Sequence, residues 1–394
     1  MSGSTATHRV LVAGGGVAAL EAALALEALA GERLAVDLLA PEPAFTYRPL
    51  AVAEPFAAGE AHRFELADLA AECGAVVHQG TLAAVAAEEH LARTTEDARF
   101  EYDSLLVACG AVAVDGLPGA LTFRGSEDAA AFRELLDELT SGAVRRLVFA
   151  VPGGVVWPLP LYELALLTAT HCAAGAELVL VTHEEAPLAI FGRRGSDAVR
   201  ELLAARGIAF VGASYPAAVE AGRLRLVPAG EIPADRVVAL PRLRGPVLVG
   251  IPHDADGFIP TDLHGRVEGL TDVYAAGDVT AFPVKQGGIA AQQALAAAES
   301  IAARAGAPVT PAPFHPVLRG LLLTGEAPSF LRAELESGHG NQGSAVEHEA
   351  LWWPPAKIAG RYLAPFLAAQ TGRALAAVPA GAASLPIEVD LSGA

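Results

Sequence analysis

Gly14, Gly16 and Ala19 stand at the three small positions of a G-x-G-x-x-G/A spacing. The apolar run Val10 to Ala13, after Arg9, leads directly into them, and an Ala/Leu-rich stretch opening at Val17 follows. A strand, a tight turn and a helix in that order are what a dinucleotide pyrophosphate requires. Gly14 permits the turn, Gly16 lets the backbone approach the phosphates, and Ala19 keeps the helix close to the strand. The amides at the helix start, with the positive end of its dipole, then face the anion. Glycines also serve plain turns, so the nucleotide reading rests on the strand before and the helix after. The second strand, Leu34 to Leu39, should end beside a carboxylate for the ribose hydroxyls. Glu42, just past Ala40 and Pro41, is the candidate, against the plainer reading of a solvated loop glutamate.

The pattern repeats at Arg146 to Val151, a helix through His171, and a strand Glu177 to Thr182. Here Gly153 and Gly154 are followed by Val155, Val156, Trp157, Pro158, Leu159 and Pro160. No third small residue is in place, and a Trp with two prolines would crowd a pyrophosphate. Glu184 or Glu185 is the candidate ribose acid, or a charged loop residue. Dinucleotide binding at this second turn is therefore expected to be weaker than at the first. Lysine is rare: Lys285 and Lys357 are the only two, which marks each for attention. Cys73, Cys109 and Cys172 are far apart and form no Cys-x-x-Cys, as in a reducing compartment, and buried unreactive thiols are the expectation. No metal site is expected.

A chain of 394 residues with 53% hydrophobic content can bury two cores and carry a terminal extension. No apolar run reaches the roughly 18 residues of a membrane span. The longest candidate, Leu147 to Thr182, is interrupted by Pro152, Pro158, Pro160, Glu163 and Glu177. The first residues show no charged segment followed by an apolar one, and a cytoplasmic location is expected. A formal charge of -18 argues against nucleic acid as a partner.

Three further segments carry a family resemblance: Phe45 to Leu50, Tyr102 to Gly110 and Val273 to Val279. Together they resemble the pyridine nucleotide-disulfide oxidoreductase superfamily over residues 8–330, most of all its sulfide:quinone oxidoreductase, flavocytochrome-type sulfide dehydrogenase and type II NADH dehydrogenase branch. The resemblance implies α/β architecture: two Rossmann-like, FAD- and NAD(P)-binding three-layer domains with a C-terminal α+β extension. The FAD domain would be discontinuous, residues 8–115 and 250–310, with an NAD(P)-like domain at 116–249 and the extension at 311–394. It implies a ribityl-binding role for Asp278, with Gly277 allowing close approach. The helix after Lys285 would turn its first amides, near Gly287, Gly288 and Ile289, toward the flavin pyrimidine, where Lys285 adds a cation or remains a surface lysine. Cys109 and Gly110 fall on the family's Ala-Thr-Gly turn, with Cys109 in place of the threonine and packing favoured over redox chemistry. Arg48 would neutralise the pyrophosphate or form a surface ion pair, with Tyr47 and Pro49 shaping the wall. Thr81 and Leu82 fall where the family's backbone meets adenine.

Glu163 matches a family glutamate near the flavin, where a buried carboxylate could shuttle protons; a helix-start glutamate interacting with the dipole is the alternative. Trp157 stands where sulfide:quinone oxidoreductases carry a catalytic cysteine, and no cysteine lies near Phe45 to Leu50 to link a flavin covalently. FAD is thus expected to be held non-covalently. In the C-terminal region, Pro313 to Gly325 reads as two short strands and Ser337 to Ser344 as a polar, Gly-rich loop. Leu351 to Leu367 reads as an aromatic turn and a short amphipathic helix, with core packing or a homodimer contact favoured over membrane binding. Trp352 and Trp353 are candidates for lining a flat acceptor's pocket. The expected function is an FAD-dependent oxidoreductase passing electrons to a quinone-like or other small acceptor, with NAD(P)H as the leading donor. The rivals are a thiol oxidiser using Cys109 and Cys172, and a flavin-containing binding or assembly module without turnover.

Overall fold

The computed structural model describes residues 7–172, 175–336 and 339–371. Its first sheet is parallel and five-stranded, in the order Val273–Ala275, Ser104–Val107, His8–Ala13, Leu34–Ala40, Val76–Gln79. The strands are apolar on both faces because both are covered. Val10 and Val12 pack against helices Val17–Ala30 and Gly287–Arg304, while Leu11 and Leu39 pack against Leu82, Val85 and Ala92 of an antiparallel three-stranded sheet. The two helices meet through alanines, with Ala18, Ala22 and Ala25 in one core with Ala290, Ala294 and Ala297. His8–Ala13 has the second strand on one side and Ser104–Val107 on the other. The chain therefore leaves it in opposite directions, which opens a crevice at its carboxyl end. Gly14 begins there.

The second parallel sheet runs Leu121–Thr122, Arg236–Ala239, Arg146–Ala150, Glu177–Val181, Ile208–Val211. Its helix, Leu159–His171, is buried nearly all round. A helix buried on nearly every side needs cover all round, and the antiparallel strands Val317–Leu322 and Ser329–Glu336 supply apolar residues, Leu318, Leu321 and Leu331, to the same core. Val112–Val114 pairs with Arg242–Arg244 where the chain passes between the two parallel sheets.

The C-terminal region differs from expectation in two places. Pro313 to Gly325 forms one strand, Val317–Leu322, and His339–Glu347 is a strand rather than a loop; Ser337 and Gly338 lie outside the described residues. That last strand pairs on one side only, and an edge accepts the glycines and polar residues that suggested a loop. The short helix Leu363–Thr371 is capped by Glu21, whose carboxylate accepts from the amides of Tyr362 (3.0 Å) and Leu363 (2.8 Å). Pro365 sits in its first turn, where no intrahelical donor is needed. Among the described residues no helix is long and apolar enough to cross a membrane.

Candidate functional site

At the crevice Gly14 has φ 143°, and a Cβ there would lie 2.2 Å from the carbonyl oxygen of Ala108. Only glycine fits this turn. Gly16 caps the first helix in an extended conformation without any side-chain cap, and a Cβ on it would meet nothing within 4 Å. The first amides of this helix thus have no side-chain acceptor, while Ala19 is fully buried. Across the crevice Gly110 has φ 74°, and Cys109 is exposed, yet the surrounding protein pushes its thiol up to about 11. Such a thiol is not an activated nucleophile. Glu42 is exposed just past the end of Leu34–Ala40, and Thr81 is exposed at the start of a strand whose first residue, Leu82, is buried.

A cavity of about 430 Å³ has a wall that includes Arg48, Trp157, Glu163, Asp278, Lys285 and Lys357, and Gly277, next to Asp278, lies against Ala18 of the first helix. Asp278 is half-buried, and its carboxylate has no hydrogen-bond partner among the described residues. Burial pushes its pKa up, and Lys285 and Arg48 pull it back. Gly277, φ 84°, donates its N–H to Gln293 Oε1 at 2.9 Å, and a Cβ there would press on Ala18 at 3.0 Å. Lys285 donates to the carbonyl of Thr280 and lies 3.7 Å from the ring centre of Phe258. Loss of solvent lowers its pKa to about 8.

At the start of Gly287–Arg304 the Gln286 side chain accepts the N–H of Ile289 at 2.9 Å. The expectation for Ile289 is corrected by this bond: its amide is engaged by the chain's own cap, which leaves those of Gly287 and Gly288.

The least expected contact joins the helix of the second parallel sheet to the C-terminal region. Glu163 is fully buried, and Lys357 Nζ lies 2.7 Å from both of its carboxylate oxygens. Lys357 also donates to the carbonyl of Pro49 at 3.0 Å, and Glu163 Oε1 accepts from the amide of Leu323 at 2.8 Å. Tyr47 fixes the lysine's segment by accepting the N–H of Ile358 at 2.9 Å. Burial raises the pKa of Glu163 and lowers that of Lys357, while their mutual attraction opposes both shifts. Glu163 is therefore held by a cation rather than by the helix dipole.

A family model described as pyridine nucleotide-disulphide oxidoreductase matches residues 8–298. The chain belongs to that family. No curated protein matches the sequence. Among solved structures, the sulfide:quinone oxidoreductase of Aquifex aeolicus superposes with a TM-score of 0.76 at 20% identity, covering 86% of each chain. The ferredoxin reductase for the CYP199A2 system of Rhodopseudomonas palustris gives 0.63 at 17% identity, covering 83% of this chain and 82% of that one. NDH2 of Plasmodium falciparum, solved with NADH, gives 0.55 at 15% identity, covering 70% of this chain and 64% of that one. At these identities the likeness is one of fold.

As a member of this oxidoreductase family the chain has residues that fit FAD. The space beside Gly16, its unpartnered amides and the free carboxylate of Asp278 are a cradle for a pyrophosphate and a polyol.

The second turn of this family member is different. Pro158 and Pro160 remove two amides from the start of Leu159–His171, and the N–H of Leu161 donates to Pro158 at 2.9 Å. Trp157 is packed edge-on against Phe191, with ring centres 5.8 Å apart. Glu184, at the end of the second strand, is half-buried and accepts from Tyr162 Oη (2.9 Å), Thr182 Oγ1 (3.1 Å) and the amide of Ala189 (3.1 Å). Its oxygens are engaged by the protein. Lys357 is the residue that the sequence analysis left without a role, and its rarity was the signal available for it.

Proposed function

We propose that the chain is an FAD-dependent oxidoreductase that passes an electron pair to a small quinone-like acceptor in the flavin cavity, with the Glu163–Lys357 pair handling the protons. When bound, FAD supplies the electron-transfer chemistry. Gly14, Gly16 and Ala19 would hold its pyrophosphate and Asp278 its ribityl chain. Glu42 would hold the ribose, Thr81 and Leu82 the adenine edge, and Cys109 and Gly110 would close the turn opposite the phosphates. Arg48 would balance phosphate charge. The amides of Gly287 and Gly288 and the ammonium of Lys285 would face the pyrimidine, where negative charge develops on reduction.

The observation that carries this reading is a buried, coupled acid and base on the wall of that cavity. A carboxylate and an ammonium removed from solvent can exchange a proton at little electrostatic cost, because the neutral pair is also well tolerated there. Reduction of a quinone requires two protons, and Glu163 and Lys357 are placed to relay them.

Other donors and partners fit less well. Sulfide chemistry through a cysteine is disfavoured by Trp157, and a thiol oxidiser by the raised pKa of Cys109. NAD(P)H bound in the usual way is disfavoured by the prolines and the engaged Glu184. The formal charge of -18 would repel an acidic protein partner.

The test is Glu163→Gln, which keeps shape and burial. Turnover with a soluble quinone should fall by about 10²–10⁴ with FAD content unchanged. Unchanged turnover would end the proton-relay reading, and a purified protein without flavin absorbance would end the FAD reading.

A further inference from the structure

A second cavity, of about 300 Å³, lies beside the first, and its wall includes Glu21, Gln292, Arg319, Trp352, Trp353 and Arg361. Arg319 also lines the flavin cavity, so one side chain borders both spaces. Arg319 has an uncommon electrostatic position. Each other half-buried arginine among the described residues, Arg93, Arg124, Arg146, Arg206 and Arg332, has a carboxylate within salt-bridge distance. Arg319 has none. Its neighbour directly across the antiparallel pair is another cation, Arg332, itself engaged by Glu334 at 2.6 Å. Burial and that neighbour both disfavour the charge on Arg319. A guanidinium partly removed from water beside a like charge is destabilising until an anion joins it.

The other polar groups of this wall do not supply one. Glu21 is fully buried and engaged by the amides of Tyr362 and Leu363; burial raises its pKa, while those amides and the charge of Arg361 oppose the shift. Gln292 is bonded to the backbone of Gly288 and to both backbone polar groups of Val317. What remains free is cationic or aromatic. Arg361 is exposed, with its guanidinium 5.6 Å from the ring centre of Tyr362, and Trp353 is 64% exposed at the rim. An indole left in water beside two guanidinium groups suits a ligand with a flat apolar body and one acidic group. The volume is at the small end for ligand pockets.

We propose that this second cavity binds a small aromatic carboxylate, whose anion pairs with Arg319 and Arg361 and whose ring packs on Trp353. The site stands apart from the electron-transfer reading, because its occupancy is measured without turnover.

The test is calorimetric titration of the full-length protein with 2-naphthoate and with its neutral isostere 2-naphthamide. The expected result is saturable 1:1 binding of the acid, about tenfold or more tighter than the amide, weakening as salt is raised. Arg319→Gln should remove that preference, and Trp353→Ala should weaken both compounds without changing flavin content. Equal binding of acid and amide, no saturable binding of either, or salt-independent binding to the unaltered protein would overturn the proposal. It would also be overturned if Arg319→Gln lost FAD while still preferring the acid, since the anion of Arg319 would then be the cofactor. Should Arg319→Gln fail to fold, the acid-to-amide ratio and the salt dependence in the unaltered protein decide the matter.

Discussion

The two β-α turns follow the same chain order and end in opposite conditions. After His8–Ala13 the turn is open: Gly16 borders empty space, the helix amides are free, and a free carboxylate, Asp278, stands on the adjoining cavity wall. After Arg146–Ala150 the turn is closed: two prolines replace amide donors, Trp157 packs on Phe191, and Glu184 is satisfied by Tyr162, Thr182 and Ala189. Apolar strands and a helix suffice to keep the βαβ unit, since the core does not depend on the ligand cradle. Binding needs in addition small residues and polar groups that the protein leaves unpaired. The second unit meets the first requirement, while its prolines and the engaged Glu184 work against the second.

The largest effect is expected from breaking the open turn. Gly14→Val places a Cβ against Ala108 in a backbone conformation that valine avoids, and purified protein should carry no flavin absorbance. Next comes the bond that ties the second unit to the C-terminal segment. Glu163→Leu leaves the Lys357 ammonium buried without a counter-charge, with only the carbonyl of Pro49 to accept from it, which should destabilise by about 3–5 kcal/mol in denaturant unfolding. Adding Lys357→Met should restore most of that loss without restoring turnover.

A smaller effect sharpens the comparison from the closed side. Glu184→Ala deprives Tyr162 and Ala189 of an acceptor and should cost about 1–3 kcal/mol. If the carboxylate is structural, the response of the flavin to NADH and NADPH will be the same before and after. The smallest effect belongs to Lys285. Its pKa of about 8 in the folded state lies below the ordinary 10.5, so the unfolded chain binds more protons between those values. Stability should rise with pH across that window, both states being protonated below it and neutral above it. Lys285→Met should flatten the rise in a series of thermal melts.

What was legible in the sequence follows from distance along the chain. Gly14, Gly16 and Ala19 act within one turn, so their spacing is their geometry, and the same holds for the prolines that close the second turn. The Glu163–Lys357 pair joins residues 194 positions apart. No local pattern encodes it, and the rarity of lysine was the only mark. Ile289 was misread because the capping oxygen comes from a side chain, Gln286, whose rotamer the sequence does not show. The strand His339–Glu347 was misread because an edge position tolerates residues that elsewhere signal a loop. Arg319 drew no notice because a lone arginine on a strand is unremarkable until its missing carboxylate can be seen.

The contrast between the two turns is tested most directly by anaerobic titration of the purified protein with NADH and NADPH, followed through its flavin absorbance. The account predicts a yellow protein with one FAD per chain that neither nucleotide bleaches and that, once reduced by dithionite, is reoxidised by a soluble quinone. Rapid bleaching by either nucleotide at micromolar concentration would contradict it, because the closed turn would then be a working cradle.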